Sequence, residues 1–494
     1  MQNALIGAKE DPAENRFQIV DQRKAQRVAA NRRESARDLE TSDIKGTRHL
    51  GERVIIIGGG FAGLAAGVAL SERGHRVTVL ERRSFLGGRA YSFVDQATGD
   101  IVDNGQHLFM ACYENTINFL RKINRLDRLK FQSRPRVDFI DTTAAITAFD
   151  CPPLPAPLHA LTGLMKMRGL TFGDKLRAFR VGRALGKKSN GWSGATVSAW
   201  LTSLGQSENI KTRFWYPMAI ATLNENPEIA SAAMLKRVLD IAFQGSSTNT
   251  SIGISRVGLS DLYTDGAREF IEDRGGEIRT DSEAASLLLE QKQGLRRITG
   301  VELKNGEILE GDYVISAAPP QAFLRLLPAE LRDEFAPLTS LKSSPIVSIN
   351  LWFDRPVTDL EFAGLIGTNI QWLFNKNAIC TGANQANQIA IVISAAHDYV
   401  DCTKEELVDM ALDELRELIP EARNAKLLRS RIVKEREATL SHTIESDSIR
   451  PLAQTSISNL VLAGDWTRTG LPATIESAVL SGNIAADIVS SRLI

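Results

Sequence analysis

The chain has 494 residues, 59 lysines and arginines against 59 aspartates and glutamates, 43% hydrophobic and 24% charged residues. This ordinary globular composition excludes global disorder, a collagen-like fibre and a small disulfide scaffold, and the neutral total argues against a broadly basic nucleic-acid binder. At roughly 150 residues per domain, the length suits two or three domains or one elaborate fold. Cys112, Cys151, Cys380 and Cys402 form no CxxC pair. They are expected to be reduced, mostly buried thiols of a cytoplasmic protein, with no metal site. There is no run of eighteen apolar residues and no signal-type start, so neither a membrane-spanning helix nor a secretory leader is expected.

Residues 1–50 hold ten Lys/Arg and eight Asp/Glu with little periodicity, which predicts a flexible or loosely helical extension. Order begins at Arg53. The apolar run Val54–Ile57 predicts a buried parallel strand, Leu64 to Arg73 a helix ended by Gly74, and Val77–Leu80 a second strand closing at Glu81. Between the first strand and the helix stands Gly58-x-Gly60-x-x-Gly63, where a tight backbone lets a pyrophosphate approach the amides of the helix N-terminus. Glu81, 21 residues beyond Gly60, is placed to accept ribose hydroxyls of an adenine dinucleotide. Phe61, Ala62 and Arg82 complete this cofactor-binding set.

Residues 151–188 open with a Pro-rich turn and carry eight Lys/Arg against one acid, Asp174, among apolar residues. Such a stretch suits a peripheral contact with an anionic membrane or, equally, a solvated helix face above an apolar core. Strand-rich sequence from about 275 to 320 ends in an apolar run from Tyr313 that is stopped by Pro319 and Pro320. A third such strand, Leu460–Leu462, leads through Ala463 and Gly464 to Asp465, and a helix is expected near Thr474 behind Pro472. Three nucleotide-type elements so far apart imply an α/β fold in which one discontinuous domain carries insertions. Residues 51–105, 256–324 and 451–494 would bind the cofactor, and 106–255 and 325–450 the substrate.

Leu86-Gly87-Gly88-Arg89 resembles the second glycine signature of the flavin amine oxidase and phytoene desaturase superfamily, and Leu462-Ala463-Gly464-Asp465 resembles its late FAD motif. Asp103-Asn104-Gly105-Gln106-His107, Trp215-Tyr216-Pro217 with Leu223-Asn224, and Gly470-Leu471-Pro472-Ala473-Thr474-Ile475-Glu476 narrow the likeness. They resemble the hydroxysqualene dehydroxylases, also called squalene-associated FAD-dependent desaturases, over about residues 53–490. Local departures are Tyr216, where that family often has an acidic residue, and Asn226, where it usually has a small one.

The resemblance implies a discontinuous Rossmann-type FAD-binding domain with an inserted α+β substrate domain, flavin amine oxidase-like, holding FAD. Arg89, Asn104, Gly105, Gln106, Asp465 and the stretch Pro472–Ile475 would contact that cofactor. It also implies a bacterial enzyme of hopanoid or carotenoid precursor synthesis that removes the hydroxyl of hydroxysqualene reductively, giving squalene. Hydride would pass from reduced flavin N5 to an allylic carbon while an acid assists the leaving oxygen. His107 and Tyr216 are the catalytic candidates, with Glu225 weaker. Trp215, Trp352, Trp372 and Phe374 are either tunnel lining or core.

An oxidative, phytoene-type desaturase is the alternative. An amine or protoporphyrinogen oxidase is disfavoured because no aromatic residue follows Trp466, and a covalent thioether flavin because no cysteine follows Cys402. The implied partner is a long-chain isoprenoid. Because it dissolves in lipid, the enzyme is expected to sit peripherally at the inner face of the cytoplasmic membrane, using 151–188.

Overall fold

Four consecutive apolar residues cannot alternate between a wet and a dry face, so the strand Arg53–Ile57 belongs in the middle of a covered sheet. In the computed structural model, which describes residues 51–185, 194–244, 247–380 and 387–491, it does. The extension expected over residues 1–50 lies outside the described residues. Five parallel strands stand in the order Glu277–Arg279, Arg76–Leu80, Arg53–Ile57, Tyr313–Ser316, Leu460–Leu462. They are drawn from widely separated parts of the chain. Hydrogen bonding to strands far apart in sequence makes the sheet a product of the whole molecule.

The two faces of this sheet bury different sets of side chains. Val54 and Ile56 pack with Leu64, Leu70, Val79 and Ile315 under the helices Phe61–Glu72, Leu259–Glu272 and Ile475–Ser490. Ile55 and Ile57 face the other way, against Leu287, Ile298 and Val301 of a three-stranded antiparallel sheet. The helix expected from Leu64 begins three residues earlier, at Phe61. The Phe61 ring is stacked on Tyr263 with centroids 3.7 Å apart, so tertiary packing holds a first turn that local propensity left open.

A second, seven-stranded sheet runs in the order Leu427–Leu440, Ser343–Phe353, Gln388–Ser394, Trp372–Asn375, Phe362–Ile366, Arg136–Asp141, Ile146–Asp150. The period of two is plain in Ser343–Phe353. Val347, Ile349, Leu351 and Phe353 enter a core that also takes Leu407, Ala411, Leu415 and Leu418 of the helix Lys404–Leu418. Ser348 and Trp352 face the loop before His107 instead. The Ser348 hydroxyl donates to the Asn104 carbonyl at 3.2 Å, and the Trp352 indole N–H to Asp100 at 2.7 Å. Helices between Leu158 and Gln244 form a third core around Trp200, Phe214 and Trp215.

Candidate functional site

All five parallel strands end on one edge, and the loops leaving Ile57, Leu80, Ser316 and Leu462 gather there, where open parallel sheets bind ligands. Gly58 has φ +113°, and a Cβ on Gly63 would stand 1.9 Å from the Gly58 carbonyl oxygen, so only glycine lets the helix approach the strand this closely. The helix Phe61–Glu72 starts from Gly60 with no side-chain cap and no acid in its first turn, yet Phe61, Ala62 and Gly63 are buried. A buried helix start whose amides lack protein acceptors is an anion site. It fits a pyrophosphate. Glu81 is buried and accepts from the Gly59 amide at 2.9 Å and the Arg83 amide at 3.0 Å, which tie its carboxylate to the same loop. Two bonds leave a carboxylate with further acceptor capacity, as ribose hydroxyls require. Arg82 is exposed.

The second glycine pair lies on the first. The Gly87 amide donates to the Gly59 carbonyl at 2.9 Å, and a Cβ on Gly88 (φ +58°) would meet the Gly60 Cα at 3.1 Å. Arg89 reaches across to the late motif, its guanidinium 2.6 Å from Asp465. The Asp465 carboxylate and its neighbour Glu435 hold this arginine's pKa up although burial opposes it. Gly464 has φ +135° and donates its amide to the Ser481 hydroxyl at 2.7 Å. Thr474 caps the helix Ile475–Ser490, accepting from the Ser477 amide at 3.3 Å and donating to the Pro472 carbonyl at 3.3 Å. The Ala473 amide is taken by His442 Nε2 at 2.7 Å.

The loop Asp103–His107 joins the same assembly. The Asn104 side chain donates to the Arg89 carbonyl at 3.0 Å and to Glu435 at 3.3 Å, and Gln106 donates to Asp103 at 2.6 Å. His107 Nδ1 lies 2.7 Å from the Gly105 carbonyl. A carbonyl only accepts, so Nδ1 carries the hydrogen and Nε2 is left as a bare acceptor. Burial pushes the imidazole pKa down, so the ring is neutral. The next residue, Leu108, is half-buried and packs with Ile252, Ile346 and Trp372 against a core that holds Phe362 and Phe374.

Tyr216 opens the helix Tyr216–Leu223 of the helical insert. It follows a π-helical turn, Lys211–Trp215, and precedes Pro217, which has no amide to donate. Its hydroxyl is 2.9 Å from Ser198, and its ring packs on the helical core around Trp215. Glu225 is fully enclosed and binds His397 at 3.0 Å and the Asn226 amide at 2.9 Å, which ties the helical insert to the large sheet. Trp215, Trp352 and Phe374 are core residues, whereas Trp372 is half-buried between the core of Phe362 and Phe374 and the helical core.

Residues 61–490 match the family model described as flavin containing amine oxidoreductase. The chain belongs to this family. It is a flavin-dependent oxidoreductase. Among curated relatives, it is 29% identical to the hydroxysqualene dehydroxylase of Sinorhizobium fredii, over 89% of this chain and 99% of that one. It is 25% identical to the 15-cis-phytoene desaturase of Synechococcus elongatus, over 89% and 96%. Among solved structures, an oxidoreductase from Methanosarcina mazei superposes with a TM-score of 0.68 at 17% identity, covering 89% of this chain and 99% of that one. The fold is therefore that of the flavin amine oxidoreductases.

Several residues of this flavin oxidoreductase that hold the site carry no local sequence signal. Arg450 is completely buried and donates to the carbonyls of Leu471 at 2.8 Å, Asp465 at 3.0 Å and Thr467 at 2.5 Å, clamping the late loop. Tyr263 donates to the Gly87 and Ala90 carbonyls at 2.8 and 3.0 Å. Arg83, adjacent to the candidate Arg82, donates to the Gly88 carbonyl at 2.9 Å. Lys376 and Asp103 form a buried ion pair at 2.6 Å beneath the His107 loop. A lone Arg, Tyr or Lys far from any motif becomes visible only when folding brings it to its acceptors.

Proposed function

We propose that this oxidoreductase binds FAD non-covalently between the glycine loops, the Asp103–His107 loop and the late loop, and acts on a long-chain isoprenoid. Residues 51–105, 256–324 and 451–494 form the cofactor side and 106–255 with 325–450 the substrate side. The first reading is reductive dehydroxylation of hydroxysqualene to squalene. The near full-length likeness to a hydroxysqualene dehydroxylase supports it, and so does the half-buried apolar cluster that takes Leu108, the residue after His107. In that reaction the allylic C–O bond breaks, the oxygen takes a proton and leaves as water, and the carbon gains hydride while reduced flavin is oxidised. The bound flavin supplies that hydride.

What the chain supplies is position, dryness and hydrogen bonds. The amides of the Phe61 helix hold the phosphates, Glu81 the ribose, and Arg89 with Asp465 the stretch between phosphate and ring. Neutral His107, with Nε2 free to accept, orients a substrate hydroxyl by taking its hydrogen bond. A bacterial enzyme of hopanoid precursor synthesis, peripheral at the cytoplasmic face of a membrane, fits the same substrate class.

One observation favours a second reading. A neutral imidazole with a bare Nε2 is a base, not an acid. Phytoene-type desaturation needs such a base, because a proton leaves one carbon as hydride leaves its neighbour for oxidised flavin. Anaerobic incubation of flavin-reduced protein with hydroxysqualene separates the two. Squalene formed in step with flavin oxidation supports the first. A new double bond formed at a saturated C–C bond of a polyene isoprenoid by the oxidised protein supports the second. Neither product, or protein that retains no FAD, overturns both.

A further inference from the structure

The helix Phe172–Ala184 has two unlike faces. Asp174, Ala178, Val181 and Ala184 are buried against the core that holds Trp200 and Trp215. On the opposite face Phe172 is 68%, Leu176 50% and Phe179 41% exposed. These residues stand at i, i+4 and i+7, so they line up within one narrow stripe. The helix is firmly built: Thr171 and Asp174 form a capping box, and Asp174 also accepts from Ser207 and Asn209. The stripe is therefore a settled surface. Leu158, at the start of the helix Leu158–Lys166, is a further 52% exposed.

The exposed charges that these two helices and the link between them carry are of one sign. Lys166, Arg168, Lys175, Arg177, Arg180 and Arg183 lie in or between these two helices, and the only acid of the stretch, Asp174, is turned inward. Lys187 and Lys188 lie outside the described residues. A stripe of large apolar side chains among cations matches a bilayer surface, where acyl chains take the first and headgroup phosphates the second. A second copy of the same face would bring like charges together. Among the described residues no helix is long and apolar enough to cross a membrane.

We propose that this face docks the protein on a membrane bearing anionic lipid headgroups, with Phe172, Leu176 and Phe179 entering the acyl boundary and Arg180 and Arg183 meeting the phosphates. The isoprenoid reading gives this docking its purpose, but vesicle binding tests it independently of which reaction the site performs.

The test is co-sedimentation of the flavin-loaded full chain with vesicles of phosphatidylcholine, with and without phosphatidylglycerol. The protein is expected on the anionic vesicles and not on the neutral ones, and to be released by salt. Both the triple variant Phe172→Ser, Leu176→Ser, Phe179→Ser and the double variant Arg180→Glu, Arg183→Glu are expected to bind at least about tenfold more weakly. Their flavin spectra and melting temperatures should stay unchanged, because the altered side chains are exposed. Phe179→Trp provides a gain of signal, since its added emission should be quenched by lipids brominated in the acyl chain. Wild-type protein that ignores anionic vesicles, or variants that bind as well as wild type, would overturn the proposal. So would variants whose only change is a lost self-association or lost binding to an acidic protein. Squalene formation assayed in detergent reports separately on the reaction.

Discussion

At the scale of single residues, burial holds two histidines neutral, with a different consequence for each. His442 is enclosed, and its pKa is pushed down to about 3 by burial and then by the Arg450 cation. Its folded pKa lies below the ordinary 6.5, so the unfolded chain binds a proton that the folded one refuses. Stability from this group is complete above 6.5 and is lost as pH falls towards 3, by roughly 1 kcal/mol per pH unit below 6. Substituting His442→Gln keeps an acceptor for the Ala473 amide and removes the titration. Its melting temperature plotted against pH should fall less steeply on the acid side, and an unchanged slope would remove His442 from the account. His107 keeps Nε2 as an acceptor, and the next residue, Leu108, packs into an apolar cluster. Replacing it with Phe should lower turnover by about 100-fold while leaving flavin content intact, as absorbance at the flavin bands will report. A variant with full turnover would make His107 a structural residue only.

Elements explain where the motifs act. The helix Phe61–Glu72 starts from a glycine-rich turn with no side-chain cap, and Gly63 lets it lie against the Gly58 carbonyl. Gly63→Ala should displace that start, cost about 3 kcal/mol or more by overpacking against backbone, and release flavin, measured as the flavin-to-protein absorbance ratio. Full occupancy in this variant would contradict the anion-site assignment. Much of this level is legible in the sequence. The run Val54–Ile57, the glycine spacing, Glu81 at the end of the next strand and the Thr474 helix start are local patterns with local causes. The start of the first helix at Phe61 is not legible, because stacking on Tyr263 decides it. Neither is the contact of Tyr216, whose hydroxyl lies 2.9 Å from that of Ser198.

For the molecule as a whole, the decisive interactions join distant parts of the chain. Lys376 and Asp103 are buried together, and the lysine pKa is held up by Asp103 and Cys380 against the effect of burial. Lys376→Met would strand a buried carboxylate that also accepts from Gln106 and the Leu259 amide, at a cost of about 3–5 kcal/mol in urea unfolding. The double variant with Asp103→Leu should recover a good part of that loss, since removing both charges leaves none unpaired. If the single variant is as stable as wild type, the pair does not hold the His107 loop. Arg450 performs the corresponding task for the late loop through backbone carbonyls, its charge met by Asp447 at 3.2 Å.

The net charge of zero conceals a cationic stretch at 151–188, which the sequence displays without saying which way its side chains point. By itself the sequence determined the α/β class, the flavin family and the loops that meet at the strand ends, because close backbone approach and buried parallel strands leave short-range signatures. Tertiary structure alone decided that Asp174 turns inward while Phe172, Leu176 and Phe179 face outward, that His107 is a neutral acceptor, and that Arg450, Lys376 and Tyr263 brace the site. Burial and hydrogen-bond partners are properties of neighbours in space, and residues hundreds of positions apart become neighbours only in the folded chain.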